Sequence, residues 1–202
     1  MRNRALPLLL LAALAACGPD SAAAPEKYKT GDPLPQAKPA GNMQGKYRET
    51  AWEALVPKSW NPAKSFRNMD FSQLQDNDPR AGEMLAKIQE AWNNAPVEGA
   101  LNGQRIRIAG FAVPLERDGE RVTEFLLVPY FGACIHTPPP PANQIIHVFV
   151  PKPGRKMQTF DTVWVNGTLE TASARPANEL GLGTAGYRMK ADAIEAYSKR
   201  QR

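Results

Sequence analysis

"QRIRIAGFAVPLE", residues 104–116, decides the fold. Ile106 and Ile108 alternate with Arg105 and Arg107. One side of an extended chain is then apolar and the other charged, which is the period of a strand rather than a helix. The run reads as turning at Gly110, and "ERDGER" downstream supplies a hairpin turn through Asp118 and Gly119. "VTEFLLVPYF" (122–131) and "NQIIHVFVP" (143–151) read as two more strands, and "DTVWVNGTLET" (161–171) as a fourth that bends at Gly167. In "YRMKADAIEAY" (187–197), Tyr187, Met189 and Ala191 alternate with charged residues before a turn into helix. Five short strands, with glycines where strands must bend, predict a mainly β domain over 99–202, a five-stranded OB-like barrel. The alternative is a β-sandwich, which usually wants seven or more strands.

Upstream, residues 46–98 read as a preface of one or two helices. "YRETAWEALVPKSWNP" offers Trp52, Leu55, Val56 and Trp60 as anchors for a short helix or extended segment that docks on the domain. A longer helix follows in "DPRAGEMLAKIQEAWNNAP". Asp78 can cap it, Pro79 suits its first position, and Asn93, Asn94 and Pro96 end it. Ala81, Met84, Leu85, Ile88 and Trp92 fall on one face and predict burial.

The chain begins "MRNRALPLLLLAALAAC", two arginines followed by an apolar run from Ala5 to Ala16. That run is short of the ~20 residues a membrane-crossing helix needs, so it reads as a signal peptide, residues 1–16. Its end, Leu14-Ala15-Ala16-Cys17, resembles the bacterial lipobox, in which the cysteine becomes the lipidated first residue. Gly18 follows, and the aspartate that goes with inner-membrane retention is absent. The expectation is a periplasm-facing lipoprotein anchored in the outer membrane. Residues 17–45, rich in Pro, Ala, Gly and Lys, read as a flexible tether.

Net charge is +5, and loss of Arg2 and Arg4 with the signal leaves 23 basic residues against 20 acids. A balance near +3 gives no footprint for nucleic acid, and the terminal "SKRQR" reads as a solvated tail. There are two cysteines. With Cys17 committed to lipid, Cys134 has no partner in an oxidising compartment, so it should be buried, bound or reactive.

The chemistry-bearing residues gather in "PYFGACIHTPPPPANQIIHV", 129–148, between the second and third predicted strands. Cys134 and His136 stand at i, i+2 and share a side if the backbone there is extended. His147 lies on the returning strand, so Cys134, His136 and His147 form a candidate zinc site, with copper as the alternative. Pro138, Pro139, Pro140 and Pro141 favour a stiff polyproline II rod. Tyr130, Asn143 and Gln144 complete a candidate binding loop, the two amides serving proline carbonyls or a ligand. Two other classes compete. A thiol beside an imidazole suits a cysteine hydrolase, with Asn143 as the one nearby amide, though no nucleophile signature accompanies it. An OB-like face could also bind a partner without turnover, through Tyr130, Phe131, Trp164 or Tyr187, whose bland reading is core packing.

"LNGQRIRIAGFAVPLE", "VTEFLLVPYFGACIHTPPPPANQIIHV" and "WVNGTLE" together resemble a family of small proteobacterial periplasmic lipoproteins defined by a domain of unknown function. The resemblance spans about residues 50–197, and "PYFGACIHTPPPPANQ" is its specific core. At His147 the chain departs from the family pattern, where an aromatic often stands, which leaves Cys134 and His136 as the better pair. Such proteins occur beside ABC transporters of the lipoprotein-release type in loci tied to zinc limitation. The resemblance implies an accessory role in zinc-linked transport, with transporter subunits as partners.

Overall fold

Strand β3 (Gln104–Asp118) is the axis of the molecule, because it pairs with three other strands. The computed structural model describes residues 28–34, 43–61, 79–136, 139–176 and 183–197. The signal peptide, Cys17, Asp78, Pro138 and the terminal basic tail lie outside the described residues.

Two short strands, β1 (Met43–Gln44) and β2 (Tyr47–Glu49), form a hairpin, and β2 runs parallel to β3. A 3₁₀ turn at Trp52–Leu55 and helix α1 (Pro79–Asn93) follow. After β3 come β4 (Arg121–Val128), β5 (Ile146–Phe149), β6 (Thr162–Pro176) and β7 (Thr184–Ala196). The sheet order is β1-β2-β3-β4-β5-β7-β6, and β3 also pairs with β6, so β3 to β7 close into a ring of strands. The β5–β7 pair is parallel and the other neighbours in the ring are antiparallel. The fold is mainly β with one α-helix among the described residues.

β3 passes straight through Gly110, where a turn was expected, and ends only at Asp118. The first part pairs with β6 and the later part with β4, exchanging neighbours around Phe111. Gly110 serves the packing: a Cβ there would come within 2.8 Å of Leu127 Cγ and of the Val128 carbonyl. β7 likewise stays extended to Ala196 instead of turning helical.

Alternation places Ile106, Ile108, Phe125, Leu127, Val148 and Val165 inside the ring. Tyr187, read as a possible ligand aromatic, is fully buried there; its hydroxyl donates to the Leu55 carbonyl (2.6 Å) and accepts from the Glu98 amide (2.6 Å). Trp52 and Leu55 close the ring from the preface, with the Trp52 indole N–H donating to the Ala109 carbonyl at 2.7 Å. Val56 and Trp60, the other two anchors of that segment, are half-buried.

The opposite face of β3 and β4 is buried as well. Ala109, Phe111, Val113, Leu126 and Val128 form a second apolar layer outside the ring. Residues 28–34 of the expected tether cover part of it, and Leu34 is only 2% exposed. Helix α1 forms where predicted, but its apolar face is not a core face: Leu85 is 65% exposed, and Ala81, Met84, Ile88 and Trp92 are only partly buried.

Candidate functional site

The segment 129–145 leaves β4 and enters β5, whose facing residues Leu127 and Ile146 pair directly. Between them the chain folds tightly. Gly132 has φ +83° and Cys134 φ +67°, and the amides of Ile135 (3.3 Å) and His136 (2.8 Å) both donate to the Gly132 carbonyl. The extended backbone that would put Cys134 and His136 on one side is therefore replaced by a turn. Cys134 is buried in the outer apolar layer. His136 is exposed, its ring 5.8 Å from that of Phe160. A left-handed φ at a residue with a Cβ costs about 1 kcal/mol or more, which the packing around Cys134 must offset.

Burial pushes the Cys134 thiol up to about 12. The Tyr130 hydroxyl is raised too, first by burial and then by the proximity of Cys134. A thiolate is what a nucleophile requires, and with no metal to displace it this environment keeps the proton on.

His147 is on β5, facing out between the inward Ile146 and Val148. Its Nε2 lies 2.8 Å from Glu124 Oε2 on β4, and its ring stands 4.4 Å from Phe149. Among the described residues no three of His, Cys, Asp and Glu come together as a metal-holding group. Cys134, His136 and His147 are thus not gathered into one donor set: one is enclosed and protonated, one exposed, one engaged by a carboxylate.

The proline segment is fixed from beneath. At Gly186 a Cβ would fall 2.7 Å from the Ala142 carbonyl, and at Gly183 it would fall 2.6 Å from Pro139 Cβ. Pro140 is buried, Pro139 and Pro141 partly so, and a 3₁₀ turn at Ala142–Gln144 leads into β5. Asn143 is fully buried; its Nδ2 donates to the Pro96 carbonyl at 2.9 Å, while Oδ1 has no hydrogen-bond partner among the described residues. Gln144 Nε2 donates to the Trp52 carbonyl at 3.0 Å. The two amides tie the loop to the preface. Gln144 also borders an open groove of about 390 Å³ with Glu53, Val56, Pro57, Lys58 and Trp60.

Two features escaped sequence reasoning. Arg107, one of the charged residues in the opening alternation, is 7% exposed. It makes paired bonds to Glu195 (3.0 and 3.1 Å), donates to Asn166 Oδ1 (3.1 Å) and lies 4.6 Å over the Trp164 ring. Glu195 is held below the usual carboxylate range by its bond to Arg107. No short-range pattern reports such a network, because its members come from β3, β6 and β7. The second feature is the segment Tyr28–Leu34, hidden in a Pro- and Gly-rich stretch whose composition argues against packing.

No curated protein matches this chain. Among solved structures it is similar to a DUF3299 family protein from Pseudomonas aeruginosa PAO1, at 36% identity over 78% of this chain and all of that one, with a TM-score of 0.59. OBody AM3L09 bound to hen egg-white lysozyme matches 50% of this chain and 88% of its own at 13% identity and a TM-score of 0.31, too remote to argue from. Residues 52–196 match the family described as protein of unknown function (DUF3299). The chain belongs to the DUF3299 family.

Proposed function

We infer that this protein is a binding module without turnover: an OB-like domain, lipid-anchored through Cys17 at the periplasmic side of the outer membrane, that serves as an adaptor to a zinc-linked ABC transport system. The observation that carries the adaptor part is how its reactive groups are used. Cys134 is buried with its thiol pushed up to about 12, His147 is engaged by Glu124, and Asn143 and Gln144 brace the preface. That arrangement favours surface recognition over a reaction chamber. The strand order β3-β4-β5-β7-β6, closed by β3–β6 and with β5 parallel to β7, supports the OB-like reading. Lipid attachment and the transporter partner rest on the lipobox and on the family resemblance.

The test is co-purification of the membrane-bound chain with the subunits of the neighbouring transporter, for the wild type and for Cys134→Ser. Retention of the complex in both supports the adaptor. Its absence in the wild type removes that reading.

Zinc or copper at Cys134 and His136 is the second reading, favoured by one fact: both residues belong to the turn organised by the Gly132 carbonyl. Binding there requires the buried thiol to lose its proton and open toward the exposed imidazole. Metal that co-purifies near one ion per chain and vanishes in Cys134→Ser would establish it.

A further inference from the structure

The seven residues Tyr28–Leu34 lie on the molecule as a peptide ligand lies in a groove. Their backbone pairs with the segment that follows β4: the Gly31 amide donates to the Phe131 carbonyl (2.9 Å), the Phe131 amide to the Asp32 carbonyl (2.9 Å), and the Leu34 amide to the Pro129 carbonyl (3.3 Å). Pro33 and Tyr130 form an antiparallel bridge. Side chains anchor both ends. The Tyr28 ring stands edge-on to Phe111 at 5.1 Å and stacks on Phe131 at 6.2 Å, and Leu34 is buried in the outer apolar layer. Between them Thr30 fits against Gly132, where a Cβ would meet Thr30 Cγ2 at 2.9 Å.

Backbone pairing to a strand edge is how peptides are recognised by strand addition, and here the pairing follows a turn that the Asp32 amide closes on the Lys29 carbonyl (2.9 Å). In OB-like domains, moreover, the outer face of the second and third strands is the usual ligand face, and here the outer layer includes β4 residues Leu126 and Val128. Ten residues separate the strap from Cys17 in the sequence.

We propose that the groove along Pro129–Phe131, over Phe111 and the outer layer, is a binding site for a short peptide that turns at its centre and pairs with this edge, occupied in cis by Tyr28–Leu34. A partner peptide that enters it carries an aromatic residue at the first position, a small central residue and a Pro-Leu pair at the end, and must displace the strap. This deepens the adaptor reading by naming the surface and the chemistry of the partner. It rests on that reading only for its biological use.

The experiment uses the intact chain and a fluorescent synthetic heptapeptide of the strap sequence, YKTGDPL, followed by fluorescence anisotropy. The strap is loosened in two independent ways: by Tyr28→Ala with Leu34→Asp, and by Gly31→Val, which strains only the strap's own turn at φ +91° with open space around it. Both variants should bind the peptide at least about tenfold tighter than wild type, whose own strap competes. Adding Gly132→Ala should weaken that binding about fivefold or more, and a peptide with glycine in place of threonine should recover it by removing the clash. Loosened chains with unchanged thermal melts that bind no peptide would overturn the proposal. So would a wild type that binds as tightly as they do. Loss of transporter co-purification with peptide binding intact would overturn the adaptor role and leave the groove standing.

Discussion

Because burial raises the Cys134 thiol to about 12 from an ordinary value of 9.0, alkali should act on this protein through one residue first. A raised folded-state value means the proton is held more tightly in the native than in the unfolded chain. The stabilisation is fully present below pH 9 and is lost as pH climbs from there towards 12, at no more than about 1.4 kcal/mol per pH unit. Tyr187, also raised to about 12, and Tyr130 begin to contribute only above the ordinary tyrosine value of 10.0. Between pH 9 and 10, urea titrations should therefore show stability falling in the wild type and flat in Cys134→Ser. Equal slopes would mean that the thiol is not enclosed. Iodoacetamide at neutral pH should label Cys134 slowly in the folded chain and rapidly in urea. The sequence disclosed that this cysteine was unpaired and due for burial, binding or reaction. It could not decide among them, because the choice depends on the Gly132 carbonyl capturing two amides and turning the chain out of the extended form.

At the scale of elements, period-two alternation was legible wherever one face of a strand looks inward, and all five strands expected over 99–202 form within a few residues of their expected bounds. The pattern misled at Gly110, which resembles a turn residue but admits Leu127 against the strand. Gly167 was read as a bend, and a register irregularity does lie between Asn166 and Gly167. A Cβ at Gly167 would fall 2.5 Å from the Lys190 carbonyl and 3.1 Å from Ala191 Cα. Both are backbone atoms of a paired strand and cannot swing away, so Gly167→Ala should cost about 1–3 kcal/mol in denaturant titrations. The helix gives the opposite contrast. Its spacing assigned Leu85 to a core face, yet periodicity shows only that a face exists and never what covers it. With Leu85 65% exposed, Leu85→Ala should change stability by no more than about 0.5 kcal/mol. A loss of 2 kcal/mol would show that the α1 face is covered after all.

Across the whole molecule, β3 separates two apolar layers that differ in how they are held. The inner layer is enclosed by a ring whose strands support one another. Part of the outer layer is covered by Leu34 and Tyr28, which reach it on a strap with three backbone bonds to residues 129–131. Composition could not reveal this, since a seven-residue strap buries too little to mark the sequence around it. A segment attached in this way should open without unfolding the ring, as a unit of lower stability. Truncating a buried leucine ordinarily costs about 2–5 kcal/mol, but Leu34→Ala can lower global stability by no more than the strap's own docking free energy. Native-state hydrogen exchange tests the distinction. In Leu34→Ala the amides of Gly31, Leu34 and Phe131 should exchange at least about tenfold faster, while those of Ile108 and Val165 keep their wild-type protection. Ile108→Ala, inside the ring, should accelerate both sets. If Leu34→Ala speeds all of these amides equally, the two layers unfold as one, and the strap is an integral part of the core rather than a separable occupant of its groove.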